Sequence, residues 1–279
     1  MSGWVGKIAM LGVLSSFAAA STSAGEITIE PRLSSGVSYY NLDLDGRVIV
    51  AEDSIDNIEF NDWLLFIGGG TTISYDRFFV DLSGQYSFSG EDNVGLDVVS
   101  GELAVENLSQ EVDFDRLETA IAIGYRVTDQ FAAYVGYRYA DVEFDGTGSL
   151  DGIGVDFSID FQQRGPLIGA SYVIPKTILN GALVANGAIT FLEGDLDNEL
   201  DVPAPLDNVN FDIEGDAVGL NAGVSWATPL SNRLKLVVGG DVSSYRFEDD
   251  DDETDFDELI VRLRAELRYG FDAGSLLGN

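Results

Sequence analysis

Histidine and cysteine are both absent from the 279 residues. Without cysteine, neither a disulfide framework nor a thiolate metal site can form. Without histidine, the commonest general base of hydrolytic and nucleophilic sites is missing. No uninterrupted apolar run reaches the roughly 18 residues that a membrane helix needs. Basic residues are few as well: 15 Lys and Arg stand against 48 Asp and Glu, a formal net charge of −33. So acidic a chain is a poor match for phosphate, which excludes nucleic acid as a partner. Cations and basic partners stay open.

Residues 1–24 read as a separate object. Lys7 supplies a positive start, residues 8–20 form a short run of apolar and small side chains, and Thr22, Ser23 and Ala24 resemble a small-x-small cleavage site. This is the pattern of a signal peptide, too short for a span. Cleavage after Ala20 competes with cleavage after Ala24. The exported chain is then residues 25–271 plus a short tail, 272–279.

What the chain does have is alternation. In the last long stretch, Leu259, Val261, Leu263, Ala265, Leu267, Tyr269 and Phe271 alternate with Ile260, Arg262, Arg264, Glu266, Arg268 and Gly270. Successive side chains of a strand point to opposite faces, so this is a strand with one apolar and one charged face. A helix would repeat near 3.6 instead. Nine earlier segments repeat the pattern, beginning near Ile27, Trp63, Phe78, Leu117, Phe131, Ile168, Leu183, Val218 and Leu234. Pro31 in the first segment predicts a local bulge, and Gly165-Pro166 predicts a change of phase before the sixth.

The apolar faces of all ten segments carry no charge. Short links follow the second, fourth, sixth and eighth segments: Asp76-Arg77, residues 128–130, 175–181 and 229–233. The connections after the odd segments are longer, apart from a compact acid run after the ninth. Aromatics gather at both ends of the apolar faces, with Tyr75, Phe78, Tyr125, Phe131, Tyr172, Trp226, Tyr269 and Phe271 at the short-link end. Tyr39, Trp63, Tyr86, Phe88, Tyr137, Tyr139 and Phe191 lie toward the other.

On these residues the chain resembles a Gram-negative outer-membrane β-barrel protein over residues 27–271. The architecture expected is a transmembrane, antiparallel, up-and-down barrel of about ten strands, with eight or twelve as alternatives. Residues 94–108 hold enough β-formers for a further hairpin, read as rising above the membrane. Leu267, Tyr269 and Phe271 resemble the family's C-terminal assembly signal, although here eight residues follow the aromatic. The resemblance implies outer-membrane lipid, lipopolysaccharide and the barrel assembly machinery as partners. Omptin proteases share the strand count, but their chemistry uses an Asp–His pair that this chain lacks. The outer-membrane phospholipase and the lipid A palmitoyltransferase likewise depend on histidine. No enzymatic activity is expected, and no cofactor. A soluble lipocalin-type barrel, with its apolar faces turned inward, is the remaining architectural rival.

Charge is sorted along the chain. Residues 41–59, 89–115, 141–160, 193–216 and 248–258, read as loops, hold six, eight, six, nine and nine acids, 38 of the 48. The basic side chains fall on the inward faces: Arg32, Arg116, Arg126, Arg138, Lys235, Arg262, Arg264 and Arg268. Glu30, Asp81, Glu118, Asp241 and Glu266 share that interior. Folding the hairpins about their turns sets Arg138 diagonal to Glu118, and Asp241 beside Arg262 and Arg264. Closing the barrel sets Glu30 and Arg32 beside Arg268 and Glu266. Either these charges pair into a plug, leaving a structural, surface-exposed barrel with acidic loops, or they line a narrow anion-preferring channel. Asp43, Asp45, Asp195, Asp197, Asp250 and Asp252 offer oxygen ligands for loosely held divalent cations. None of them falls into EF-hand spacing, and the Gly68-Gly69-Gly70 run is not a phosphate loop.

Overall fold

Period-two alternation closes into a single antiparallel sheet. The structure, a computed structural model, describes residues 26–50, 53–88, 92–100, 103–150, 153–201, 209–249 and 254–272. Its strands are β1 (Ile27–Val50), β2 (Asp53–Tyr75), β3 (Phe78–Phe88), β4 (Asp92–Ser100), β5 (Leu103–Arg126) and β6 (Phe131–Leu150). They continue as β7 (Ile153–Ile178), β8 (Gly181–Asp201), β9 (Val209–Pro229), β10 (Leu234–Asp249), β11 (Thr254–Tyr269) and β12 (Phe271–Asp272). Residues 1–24 and the tail after Asp272 lie outside the described residues.

Twelve elements make ten staves. β4 continues β3 along both neighbours, because β5 pairs with β3 as far as Phe88↔Asp115 and with β4 from Asp92↔Val112. β12 likewise continues β11 beside β1. β1 pairs with both β2 and β11, which closes the barrel. The hairpin expected near residues 94–108 is β4 with the start of β5, paired Asp92↔Val112 to Ser100↔Leu103.

The outward face carries an apolar belt. Leu33, Trp63, Leu65, Phe78, Ile123, Val135, Ile168, Val224, Leu263 and Leu267 are exposed on it. Between Trp63 and Tyr75 the belt spans twelve residue steps of β2. At roughly 3.3 Å per residue and a tilt of about 40°, it stands about 30 Å high, the thickness of a bilayer's hydrocarbon core. No charged side chain faces outward in the belt among the described residues. The lipocalin-type rival is overturned, since the apolar faces point out and the arginines point in.

Above the belt the barrel continues and its two faces exchange character. Residues 41–59, 141–160 and 193–201, expected as loops, are largely strand, and ten residues of β2 rise roughly 25 Å beyond Trp63. Acids such as Asp43, Asp113, Asp145, Glu193 and Asp197 now face outward. Tyr40, Leu42, Phe60, Phe114, Phe144, Phe161, Leu192 and Phe247 turn inward and are buried. The physical cause is the change of outer solvent: in lipid the outside must be apolar, whereas in water the inside must be. Acid density reads as loop, whereas the apolar residues two apart on the inner face make these segments strand.

Three further expectations fail. Pro31 makes no bulge: Ile29↔Phe271 and Arg32↔Arg268 keep one register across it, while the partner stave breaks at Gly270, between β11 and β12. No phase change occurs at Gly165-Pro166, since β6 and β7 pair without a shift from Leu150↔Ile153 to Phe131↔Tyr172. The irregularity of β7 instead lies between Ile174 and Thr177. Residues 175–178 therefore extend β7, leaving Leu179 and Asn180 as a two-residue turn with positive φ at both positions.

Candidate functional site

The inward faces of β1, β3, β5, β6, β10 and β11 bring the charged residues together in layers. At the short-turn end, Lys235 Nζ lies 3.1 Å from Glu30 Oε1. Arg126 Nη2 donates to Ser74 Oγ at 3.0 Å. Above them Arg32 clasps Asp81 through two bonds of 2.7 and 2.8 Å, and Thr72 Oγ1 donates to the same carboxylate at 2.6 Å. A Cβ on Gly70 would run into the Leu82 carbonyl and press on the Arg32 guanidinium, which is why glycine is needed at that point of β2. Glu266 pairs closely with Arg268 and lies 3.9 Å from Arg32.

The next layer is built around two carboxylates. Asp241 takes Arg262 at 2.9 Å and Arg264 at 3.2 Å. Glu118 takes Arg138 at 3.2 Å, Arg262 at 3.2 Å and Arg116 at 3.7 Å. Arg138 also lies over the Tyr245 ring, 4.5 Å from its centroid. Ser243 and Tyr245 donate to Asn221 Oδ1 at 2.6 and 3.0 Å, and Asn221 Nδ2 donates to Thr190 Oγ1 at 3.0 Å. This polar chain ties β8, β9 and β10 to Arg262, whose Nη2 donates to Ser243 Oγ at 3.2 Å.

The topmost charged layer was not legible as a site. Arg116 Nη1 donates to Glu258 Oε1, Gln163 Nε2 donates to Glu258 Oε2 at 3.2 Å, and the Arg116 guanidinium lies over the Tyr40 ring. Glu258, the last acid of the 248–258 run, belongs to β11: it is 1 % exposed and points into the lumen. Even-number parity in β11, extended two residues upward from Ile260, identifies it.

Aromatic rings pack inside the barrel beyond this layer. Phe114 packs against Tyr40, Phe60 and Phe144 with ring centroids 4.9–5.2 Å apart. Phe161 meets Phe247 at 5.2 Å. Nearer the short turns, Phe79, Ala122, Ala132, Tyr134 and Leu167 form a smaller apolar cluster on one wall. Phe79 lies where a side chain on Gly124 would have to go. The result is a filled interior: Arg32, Arg138, Arg262, Arg264 and Arg268 are all 2–7 % exposed.

The other sequence-derived candidates do not converge. Asp43 is exposed on the outer face, Asp195 lies 3.6 Å from Arg164, and Asp197 is exposed. Asp45 pairs in the ladder with Asn57 and Asp255. Asp250 and Asp252 lie outside the described residues. Among the described residues no group of three or more such ligands is placed to hold a metal. Leu267 and Tyr269 face outward at the lower edge of the belt, and Phe271 pairs with Ile29.

No protein-family model matches the chain, and neither does any curated protein sequence. Solved structures do. The outer-membrane protease OmpT from Escherichia coli aligns over 91 % of this chain and 100 % of its own, with a TM-score of 0.63 at 12 % identity. The fold is that of a Gram-negative outer-membrane β-barrel. The translocator domain of the autotransporter NalP from Neisseria meningitidis aligns over 90 % of each chain, with a TM-score of 0.48 at 9 % identity. The Pseudomonas putida toluene transporter TodX covers 89 % of this barrel and 90 % of its own chain, with a TM-score of 0.34 at 9 % identity.

Proposed function

We propose that this protein is a non-enzymatic, surface-exposed barrel of the outer membrane, exported by residues 1–24 and inserted with its short turns in the periplasm. The strand extensions then act as a stalk that lifts acidic apices away from the lipid. Those apices hold divalent cations loosely and attract basic partners through long-range charge. Outer-membrane lipid and lipopolysaccharide surround the belt, and Leu267, Tyr269 and Phe271 serve as the docking signal for the assembly machinery. The absence of histidine removes the Asp–His chemistry that the omptin likeness would otherwise imply.

One observation carries the reading: the lumen arginines are buried and ion-paired beneath a cap of packed rings. A conducting path would need them hydrated, since ions move only where binding is weak enough to release them. A second reading rests on a charge excess. Eight inward basic residues face seven inward acids once Glu258 and Asp62, the ladder partner of buried Tyr40, join the interior, a small excess that favours anions if the lumen opens. Planar-bilayer recording separates the two. The structural barrel predicts a silent membrane; stable unit steps with anion preference would replace it with a narrow channel.

A further inference from the structure

Nine of the ten stave contacts join strands that follow one another in the chain. The tenth, β1 against β11, joins the two ends of the barrel with no connecting turn. Alternation alone cannot set its register. A slip of one residue would turn Arg262 and Arg264 into lipid, so odd slips are rejected. A slip of two leaves every outward residue of β11 apolar, because positions 259, 261, 263, 265, 267 and 269 are all apolar. Something inside must reject even slips.

The seam's own charges do not. Moving β11 two residues toward the short-turn end would set Glu266 opposite Arg32 and Arg268 opposite Glu30, an acceptable arrangement. The pair that fails under both slips spans the lumen. Glu258 reaches Arg116 of β5, a stave four contacts away around the wall. Phe256 and Ile260, both uncharged, stand two residues to either side of Glu258 in the sequence. A two-residue slip at the seam in either direction shears the wall, shifts Glu258 away from Arg116 and carries one of these toward its place. Arg116, 3 % exposed, then loses the nearer of its two carboxylates and keeps only Glu118 at 3.7 Å, in a site where an underpaired charge is unfavourable.

We propose that the Arg116–Glu258 pair is the register key of barrel closure, admitting β11 to β1 only at Leu33↔Leu267. The full chain suits a direct test because it has no cysteine of its own. Cysteine pairs on the outer face report each register: L33C with L267C the observed one, L33C with A265C and L33C with Y269C the two slips. Directly opposed cysteines can bridge, whereas those two residues off register lie beyond disulfide reach. In the otherwise unchanged chain, refolded into phosphatidylcholine vesicles and oxidised, only the first pair should cross-link. In Arg116→Met with Glu258→Gln, a slipped pair should gain the cross-link that the first pair loses. Cross-linking confined to L33C/L267C in that variant would overturn the proposal. So would its failure to fold in any register, read as loss of the heat-modifiable gel shift. Closure would then depend on the pair itself, beyond the choice of register.

Discussion

Arg32 and Asp81 stand 49 residues apart in sequence and on staves separated by β2, yet they form a two-bonded ion pair of 2.7 and 2.8 Å, buried on both sides. Its partner set is complete, with Thr72 donating to the same carboxylate. Removing one member leaves a charge buried without its partner, which typically costs about 3–5 kcal/mol. Asp81→Ala is therefore expected to lower the urea midpoint of the detergent-folded protein sharply. Arg32→Met combined with Asp81→Leu should recover most of that loss, since neither charge is then stranded.

The Phe79 ring occupies the space above Gly124. Gly124→Val is expected to cost about 1–3 kcal/mol through overpacking. Phe79→Ala in the same chain should offset part of it, giving a favourable coupling in a double-mutant cycle of unfolding free energies. Strict additivity would show that the two sites do not share the space.

Leu263 is 59 % exposed within the belt. Leu263→Arg should cost about 2–4 kcal/mol, because the charge faces hydrocarbon. Ser158→Arg, on the outer face of the extension, should change stability by no more than about 0.5 kcal/mol. Folding yield into vesicles measures both. Equal effects would contradict the assignment of the belt to lipid.

Phe114 touches three rings of the cap. Phe114→Ala is expected to cost about 3–5 kcal/mol where the rings cannot collapse onto the void. The loss should concentrate in the extension: limited proteolysis would cut above the belt and leave the membrane part protected. Cleavage spread evenly through the chain would mean that the cap has no core of its own.

Much of this molecule was legible from alternation. Parity alone placed Arg138 near Glu118 and Asp241 near Arg262, because both pairs lie on adjacent staves whose turn sets the register. The extensions were missed for a physical reason. Asp113, Phe114 and Asp115, or Glu143, Phe144 and Asp145, have the same period of two as the belt, but with the polar member turned outward. Acid density suggested loop, whereas the inward phenylalanines were the strand signal.

The amino-acid order by itself determined the strand period, the apolar outer belt and the basic inner face, since these follow from local geometry and the solvent each face meets. The tertiary structure alone decided which charges meet across the interior and where the barrel stops being a membrane protein. Arg116 and Glu258 come from staves that share no turn, so only closure of the wall brings them within reach. The rings above them pack only when distant strands converge beyond the lipid, where water favours the opposite sorting of side chains.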